Sequence, residues 1–167
     1  MKLVKKEINI GFTLIELLIV MAILGALSAI ALVTFPANFI KARNTTRIND
    51  LKQYQIAAET YANKNNGLYL EESTSVAADG VCTALGFGTS CAKDSYDGQV
   101  KCGGTTCRYF YQTDNQSCAT GSPCATKYVI YAALEVRSGA AQYYQVCSTG
   151  KSGIAAAAPS GGTCSVP

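Results

Sequence analysis

The sequence predicts an α+β fold in which a long N-terminal helix packs on a small C-terminal antiparallel β-sheet. Three observations support this prediction. Residues 12–40 contain a single charge, apolar side chains recur at helical spacing between Ile48 and Tyr61, and two β-rich runs flank a glycine in the last third of the chain. In this arrangement residues 12–66 form the helix, and residues 67–167 form a globular region whose loops are stapled by disulfides.

The first part of the helix is apolar enough to be expected in a membrane. Residues 17–35 comprise 19 amino acids without a charge, and a helix needs about 20 apolar residues to cross a bilayer. Lys2, Lys5 and Lys6 precede this run, and basic residues tend to stay on the cytoplasmic side. We therefore expect residues 12–36 to form a single transmembrane helix with its N-terminus inside.

A cleaved signal peptide is the alternative for this segment, with residues 29–31 as an Ala-x-Ala cleavage site. Three features disfavour it. The apolar run is about twice as long as a typical signal-peptide core. The segment also contains Glu16 near its start, and an acid costs about 2.5–3.5 kcal/mol at the centre of a membrane helix, though less near the interface. An amphipathic helical pattern also follows it without a break.

The second half of the helix is predicted to be amphipathic. Pro36 removes a backbone donor and should kink or melt the helix locally. The run Asn65-Asn66-Gly67 predicts a left-handed cap at the end of the helix. A helix over residues 12–65 would be about 80 Å long. A coiled coil is the weaker interpretation, because the polar half of the helix contains too few heptads. The predicted apolar stripe consists of Ile48, Leu51, Tyr54, Ala58 and Tyr61, and the charged residues lie largely off it.

The remaining chain predicts loops and a hairpin. Residues 68–125 show little periodicity except at residues 108–111, which indicate one short strand among loops. Residues 127–137 and 141–146 are rich in β-branched and aromatic residues and flank the turn-forming residues 138–140. This pattern is typical of a β-hairpin.

The eight cysteines all lie between Cys82 and Cys164. Their even number, without a Cys-x-x-Cys motif or a histidine, favours disulfides over zinc and an oxidising compartment outside the cytoplasm. Eight thiols allow 105 pairings, but loop closure favours near neighbours. A free thiol or a crossed pairing such as Cys91 with Cys102 stays open. The expected pairs are Cys82–Cys91, Cys102–Cys107, Cys118–Cys124 and Cys147–Cys164.

Composition and motifs disfavour catalysis and ligand binding. The chain has no histidine, which removes the commonest general base, and we expect no enzymatic activity, no cofactor and no metal. Residues 94–98 are similar to a calcium loop, but Tyr96 and Gly98 stand where oxygen ligands belong. Residues 150–152 are similar to the end of a phosphate-binding loop, but Gln145 replaces a required glycine. The basic excess belongs mainly to residues 1–11, so it indicates no nucleic acid partner.

The N-terminus resembles a known leader. MKLVKKEINIG followed by FTLIELLIVMAILGALSAIAL resembles the class III leader and helix start of type IV pilins and of the related pseudopilins of type II secretion, closely over residues 5–32. The resemblance implies that a membrane peptidase cuts between Gly11 and Phe12, removes the leader 1–11 and methylates the new amine of Phe12. It also implies that Glu16 neutralises the N-terminal amine of a neighbouring subunit during assembly.

The resemblance further implies a pilin roll and a structural function. The chain would be a prepilin that polymerises through its apolar helix into an extracellular type IV pilus-like filament; the alternatives are a pseudopilin of type II secretion and a membrane-anchored binding module. The implied partners are the prepilin peptidase and methyltransferase, sister subunits with or without minor pilins, the inner membrane and an assembly platform. Before assembly the subunit would lie in the inner (cytoplasmic) membrane, and afterwards in an extracellular pilus or a periplasmic pseudopilus.

Three details concern the resemblance more closely. In this family a proline often stands at the position that Val33 occupies here. This chain has its proline three residues later, at Pro36. Some secretion pseudopilins bind calcium in the C-terminal half of the fold, which keeps residues 94–98 of interest. Many type IV pilins close a disulfide loop near the C-terminus, as Cys147–Cys164 would do here.

Overall fold

The computed structural model describes residues 11–72, 74–114 and 117–166, except for the side chains of residues 31–35. The chain divides into two compact units, Met1–Asn38 and Phe39–Pro167. Helix α1, Leu14–Lys64, begins in the first unit and ends in the second. Residues 1–10 lie outside the described residues. They form most of the expected leader and include its basic residues Lys2, Lys5 and Lys6.

The first unit consists of the apolar part of α1. Its residues from Gly11 to Ile30 are all exposed, because no other described element of this unit packs against them. The helix continues through Pro36, so the proline does not end it. Within the part of the chain that the structure describes, no helix is both long and apolar enough to cross a membrane.

The end of α1 lies in the second unit and has the predicted left-handed cap. Asn66 and Gly67 have φ angles of 56° and 82°. The Gly67 amide donates to the carbonyl of Ala62 over 2.8 Å, which is the six-residue bond of a Schellman cap. The side-chain amide of Asn65 donates to the carbonyl of Tyr61 over 2.8 Å. These bonds satisfy carbonyls that the helix end leaves without partners, and the predicted cap is confirmed.

The second unit adds a short helix and nine strands among the described residues. The largest sheet has five antiparallel strands in the order β2-β5-β7-β8-β9, and two smaller sheets pair β1 with β6 and β3 with β4. The elements are β1 (Tyr69–Leu70), β2 (Val76–Ala77), α2 (Ala78–Val81), β3 (Val100–Cys102), β4 (Thr105–Thr106), β5 (Tyr109–Thr113), β6 (Pro123–Ala125), β7 (Tyr128–Leu134), β8 (Gln142–Cys147) and β9 (Ser152–Ala155).

The predicted hairpin is the centre of the five-stranded sheet. β7 and β8 pair from Val129 with Cys147 to Leu134 with Gln142, so the turn signal at residues 138–140 falls in the connection between them. β5 is the short strand expected near residues 108–111. The sequence did not indicate the two- and three-residue strands of residues 68–125, nor β9, because such short segments carry no readable periodicity.

The core lies between the second part of α1 and one face of the sheet. Leu51, Tyr54 and Ala58 from the predicted stripe are fully buried, and Ile48 and Tyr61 pack against them while half-buried. Alternate residues of β7, including Ile130 and Leu134, face this cluster. The predicted stripe and the predicted α+β class are both confirmed.

The opposite face of the sheet is also covered. On β7, Ala133 packs with Cys102 and Cys107, and Val129 packs with Cys147 and Val166 of the C-terminal tail. Every residue of β7 is therefore buried. Cover on both faces explains why this strand is a continuous apolar run rather than an alternating one.

Candidate processing and assembly site

The bond between Gly11 and Phe12, the expected cleavage site, lies outside regular structure. Gly11, Phe12 and Thr13 precede the helix, which begins at Leu14. Phe12 has 82% of its surface exposed, and no atom of the described residues lies within 4 Å of the position that a Cβ on Gly11 would take. In the chain as described, no neighbouring side chain shields this bond from a peptidase.

Glu16 lies in the first turn of α1 and bonds to Thr13. Its carboxylate oxygen Oε2 accepts from the backbone N–H of Thr13 over 3.0 Å and from the Thr13 hydroxyl over 2.6 Å. The Glu16 backbone N–H is 3.3 Å from the hydroxyl oxygen of Thr13. This reciprocal arrangement is a capping box, and it places the carboxylate at the positive end of the helix dipole.

Thr13 is a residue of this site that the sequence analysis missed. The signal was present, because a threonine followed three residues later by a glutamate, before an apolar run, indicates a capping box. The structure therefore gives Glu16 a partner inside its own chain, one residue from Phe12.

The apolar surface of the first unit continues from this site along the helix. Large apolar side chains surround the whole circumference of the helix and stay between 47% and 82% exposed. Among described residues, Glu16 is the charged side chain within this surface. The exposed apolar residues are Phe12, Leu14, Ile15, Leu17, Leu18, Ile19, Val20, Met21, Ile23, Leu24, Leu27 and Ile30.

The loop that is similar to a calcium site has its carboxylates bound by arginines. Asp94 accepts two hydrogen bonds from the guanidinium of Arg47, one of them over 3.0 Å. Asp97 accepts a hydrogen bond of 2.9 Å from Arg108. The Tyr96 amide also donates to Asp94 over 2.8 Å. The bonds from Arg47 hold the loop against the second part of α1. Together the two arginines occupy both carboxylates.

Arg47 was expected off the apolar stripe, and it is instead buried, with 1% of its surface exposed. Besides Asp94 it pairs with Glu135 over 2.7 Å, and Arg43 donates to both carboxylate oxygens of Glu135 over 2.8 and 2.5 Å. Burial alone would raise the pKa of the Glu135 carboxyl, but the hydrogen bonds from the two arginines lower it below its usual value. The cluster therefore joins the helix to the end of β7 through charge.

The structure brings the eight cysteines together in four pairs of sequence neighbours. Their Cα–Cα distances lie between 5.2 and 6.7 Å, within the usual range for disulfides. The pairs are Cys82–Cys91, Cys102–Cys107, Cys118–Cys124 and Cys147–Cys164.

Comparison with known families gives a match at the N-terminal end of the chain. The family described as the prokaryotic N-terminal methylation motif matches residues 9–32. This motif is the class III prepilin leader of type IV pilins and pseudopilins, so the resemblance drawn from the leader is confirmed over these residues. The motif indicates a structural subunit of the pilin or pseudopilin type. No curated protein and no solved structure matches the chain significantly.

Proposed function

We propose, from the methylation motif at residues 9–32, that this chain is a prepilin whose mature form polymerises into an extracellular type IV pilus-like filament. Processing removes residues 1–11 and leaves Phe12 as the N-methylated first residue. The proposed partners are the prepilin peptidase and methyltransferase, sister subunits and the assembly platform of the inner membrane. In this function the chain is a building block and not an enzyme.

The exposed apolar helix of the first unit supports this proposal. A contiguous apolar surface of this kind is rare on monomeric soluble proteins, and it indicates contact with lipid or with another protein. We propose that lipid covers it before assembly, when residues 12–36 lie in the inner membrane with the N-terminus inside. Sister helices would cover it afterwards in the filament, which explains why the surface is apolar all round rather than on one stripe.

The position of Glu16 supports a role in assembly. Cleavage after Gly11 creates a positive amine on Phe12, and a charge in an apolar setting is costly without a partner. The capping box keeps the carboxylate at the helix start, close in sequence to that amine. We propose that Glu16 exchanges its bonds with Thr13 for a bond to the amine of a neighbouring subunit, and thereby sets the register of subunits along the filament.

The first test concerns processing. We expect the exported chain to begin at Phe12 and to carry one added methyl group on its amine. Intact-mass measurement and N-terminal sequencing distinguish this product from cleavage after Ala31. A chain that begins at Leu32 would overturn the prepilin proposal, since it would show that the segment is an ordinary signal peptide.

The second test separates the charge of Glu16 from its capping role. Glu16→Ala removes both, whereas Glu16→Gln keeps a side chain that can complete a capping box and removes the charge. We expect both variants to be cleaved and inserted normally but to form few or no filaments. Filament counts by electron microscopy measure the effect. Normal filaments from Glu16→Gln would show that capping, and not charge pairing, is what Glu16 supplies.

The pseudopilin alternative is distinguished by deletion of the chain. Loss of surface filaments supports the pilus, and loss of protein secretion with unchanged filaments supports a type II secretion pseudopilus. Two observations favour the pilus. Four disulfides suit a subunit that is exposed outside the cell. The carboxylates of Asp94 and Asp97 are bound to arginines and not arranged for calcium.

A further inference from the structure

Glu71 is a buried acid without a hydrogen-bond partner. Only 1% of its surface is exposed, and neither carboxylate oxygen has a partner among the described residues. Its backbone is fixed, because its N–H donates to the carbonyl of Ser122 over 2.9 Å and its carbonyl accepts from the Gly121 amide over 2.8 Å. Burying a polar group without a partner is costly, so this acid requires an explanation.

The two backbone bonds hold the loop of residues 118–124 over Glu71, and this loop is closed by a disulfide. A carboxylate oxygen of Glu71 and the Sγ atoms of Cys118 and Cys124 all lie within 4.8 Å of one another. The buried carboxyl group therefore lies beside the disulfide. Disulfide sulfurs lack the negative charge of thiolates, which are the metal-binding form, so the cluster is not a metal site in this state.

This disulfide is the accessible one of the four. All eight cysteines are among the described residues, and Cys118 is the exposed one while Cys124 is half-buried. Cys102 and Cys107 are both fully buried. In each of the other two disulfides one cysteine is buried, Cys82 in Cys82–Cys91 and Cys147 in Cys147–Cys164. Exposed disulfides are the ones that exchange with external thiols most readily.

We propose that Cys118–Cys124 is a site of thiol–disulfide exchange and that Glu71 supplies its proton. An external thiolate attacks the exposed Sγ of Cys118 and forms a mixed disulfide with it. The bond between the two cysteine sulfurs breaks, and its electron pair goes to Sγ of Cys124. Glu71 gives that sulfur a proton, which leaves a neutral thiol and a carboxylate that regains its proton from solvent.

The neighbouring hydroxyl is not the proton donor. Ser122 Oγ lies 3.9 Å from Sγ of Cys124, but the hydroxyl donates to the carbonyl of Ala119. Transfer of a proton from Glu71 helps the sulfur to leave, since exchange rates depend on how well the leaving thiol accepts charge. The co-reactant is a thiol, either a small molecule or a cysteine of another protein.

The test measures the reduction of each disulfide in the oxidised, full-length protein. The protein is incubated with reduced glutathione in one arm and with reduced thioredoxin in the other, alkylated with iodoacetamide and mapped by peptide mass spectrometry. In the wild type we expect Cys124 to be alkylated first, while Cys118 carries the attacking thiol in a mixed disulfide. A second external thiol then releases Cys118, so that both cysteines are alkylated before the other six. The arm that reacts identifies the thiol source; reaction in neither arm would overturn the proposal.

Variants test the role of Glu71. We expect Glu71→Gln and Glu71→Leu to slow reduction of this disulfide by about tenfold, a modest loss for general acid catalysis. Glu72→Gln is the matched control, because it removes the adjacent carboxyl and should leave the rate unchanged. The other three disulfides report on folding, since an unfolded variant would lose all four together. An unchanged or faster rate in folded Glu71→Gln would exclude proton donation, and the order of reduction in the wild type tests the exchange site without any variant.

Discussion

At the scale of single residues, Arg47 shows how a charged side chain can belong to the core. Its guanidinium bonds to Asp94, Glu135 and the side-chain oxygen of Asn44. Asn44 in turn bonds to both the backbone N–H and the carbonyl of Glu135, over 3.0 and 2.9 Å. Because the charges and the polar atoms around them are paired, burial is tolerated, and the helix, the loop at Asp94 and the end of β7 are held in one arrangement.

The first stability prediction follows from this cluster. Arg47→Ala leaves the carboxylate of Asp94 buried without its counter-charge, and we expect the free energy of unfolding to fall by about 3–5 kcal/mol. Lys52→Ala is the control, since Lys52 is exposed on the same helix and should change stability by less than about 0.5 kcal/mol. Urea denaturation of both variants measures the difference. Equal effects would mean that the buried pair contributes little.

At the scale of elements, the C-terminal tail is fastened to the sheet at three places. Gln145 of β8 is fully buried; its side chain donates to the carbonyl of Ala157 over 2.9 Å and accepts from the Ser165 amide over 3.1 Å. The pair Cys147–Cys164 adds a covalent link. Gly162 provides the third contact, because the tail passes there directly against the backbone of Thr113 and Asp114 at the end of β5.

Two adjacent glycines in the tail provide a matched comparison. Gly161 and Gly162 have φ angles of 56° and 65°, so alanine at either position costs about 1–2 kcal/mol of backbone strain. Only at Gly162 would the new Cβ meet other atoms, at 2.6 Å from the Asp114 amide nitrogen and the Thr113 carbonyl oxygen. We expect Gly162→Ala to be less stable than Gly161→Ala by about 1–3 kcal/mol in urea denaturation. Equal stabilities would show that the tail can move aside.

At the scale of the whole molecule, tyrosine takes the place of larger aromatic residues in a chain without tryptophan. Tyrosines bury much apolar area, but each buried hydroxyl needs a partner. In the second unit Tyr54 donates to the Ala92 carbonyl over 2.9 Å, Tyr111 to the Leu70 carbonyl over 2.9 Å, and Tyr128 to Glu59 over 2.7 Å. These bonds link the helix, the loops and the sheet at their common core.

This core predicts a loss of stability in alkali. Burial raises the pKa of Tyr54 to about 12, and burial together with the nearby Glu59 raises the pKa of Tyr69 to about 12. Burial also raises the pKa of Tyr111 and Tyr128. Above the ordinary tyrosine pKa of about 10, the unfolded chain has lost these protons while the folded chain keeps them. The contribution of these tyrosines to the free energy of unfolding is therefore fully present below about pH 10. It declines above that pH, by up to about 1.4 kcal/mol per pH unit for each tyrosine.

Urea denaturation between about pH 8 and 11.5 checks this dependence. Tyr54→Phe lowers stability at neutral pH, because it removes the bond to Ala92, but it should make the alkaline decline shallower. A free energy of unfolding that stays constant up to pH 11 would contradict the prediction, as would an unchanged decline in Tyr54→Phe.

Several features of the protein follow from the sequence alone, because each depends on residues close together in the chain. The α+β class, the buried positions Leu51, Tyr54 and Ala58, the cap at Asn66 and Gly67, and the β7–β8 hairpin were predicted from periodicity and turn residues, and the structure has them. The methylation motif is likewise a contiguous pattern. The near-neighbour pairing of the cysteines is also the pairing in the structure, for loop closure favours short separations.

Other features were decided by tertiary structure, because they depend on residues that are distant in sequence. Arg47 is buried since Asp94, 47 residues away, meets it. The edge strands β2 and β9 form because β5 and β8 offer them unpaired backbone groups. The sequence does not predict these strands, because segments of two to four residues are too short to show a periodicity. Glu71 lies beneath the disulfide of residues 118–124 only when β1 pairs with β6. Local pattern specifies the elements of this protein, and long-range packing decides which polar side chains they enclose.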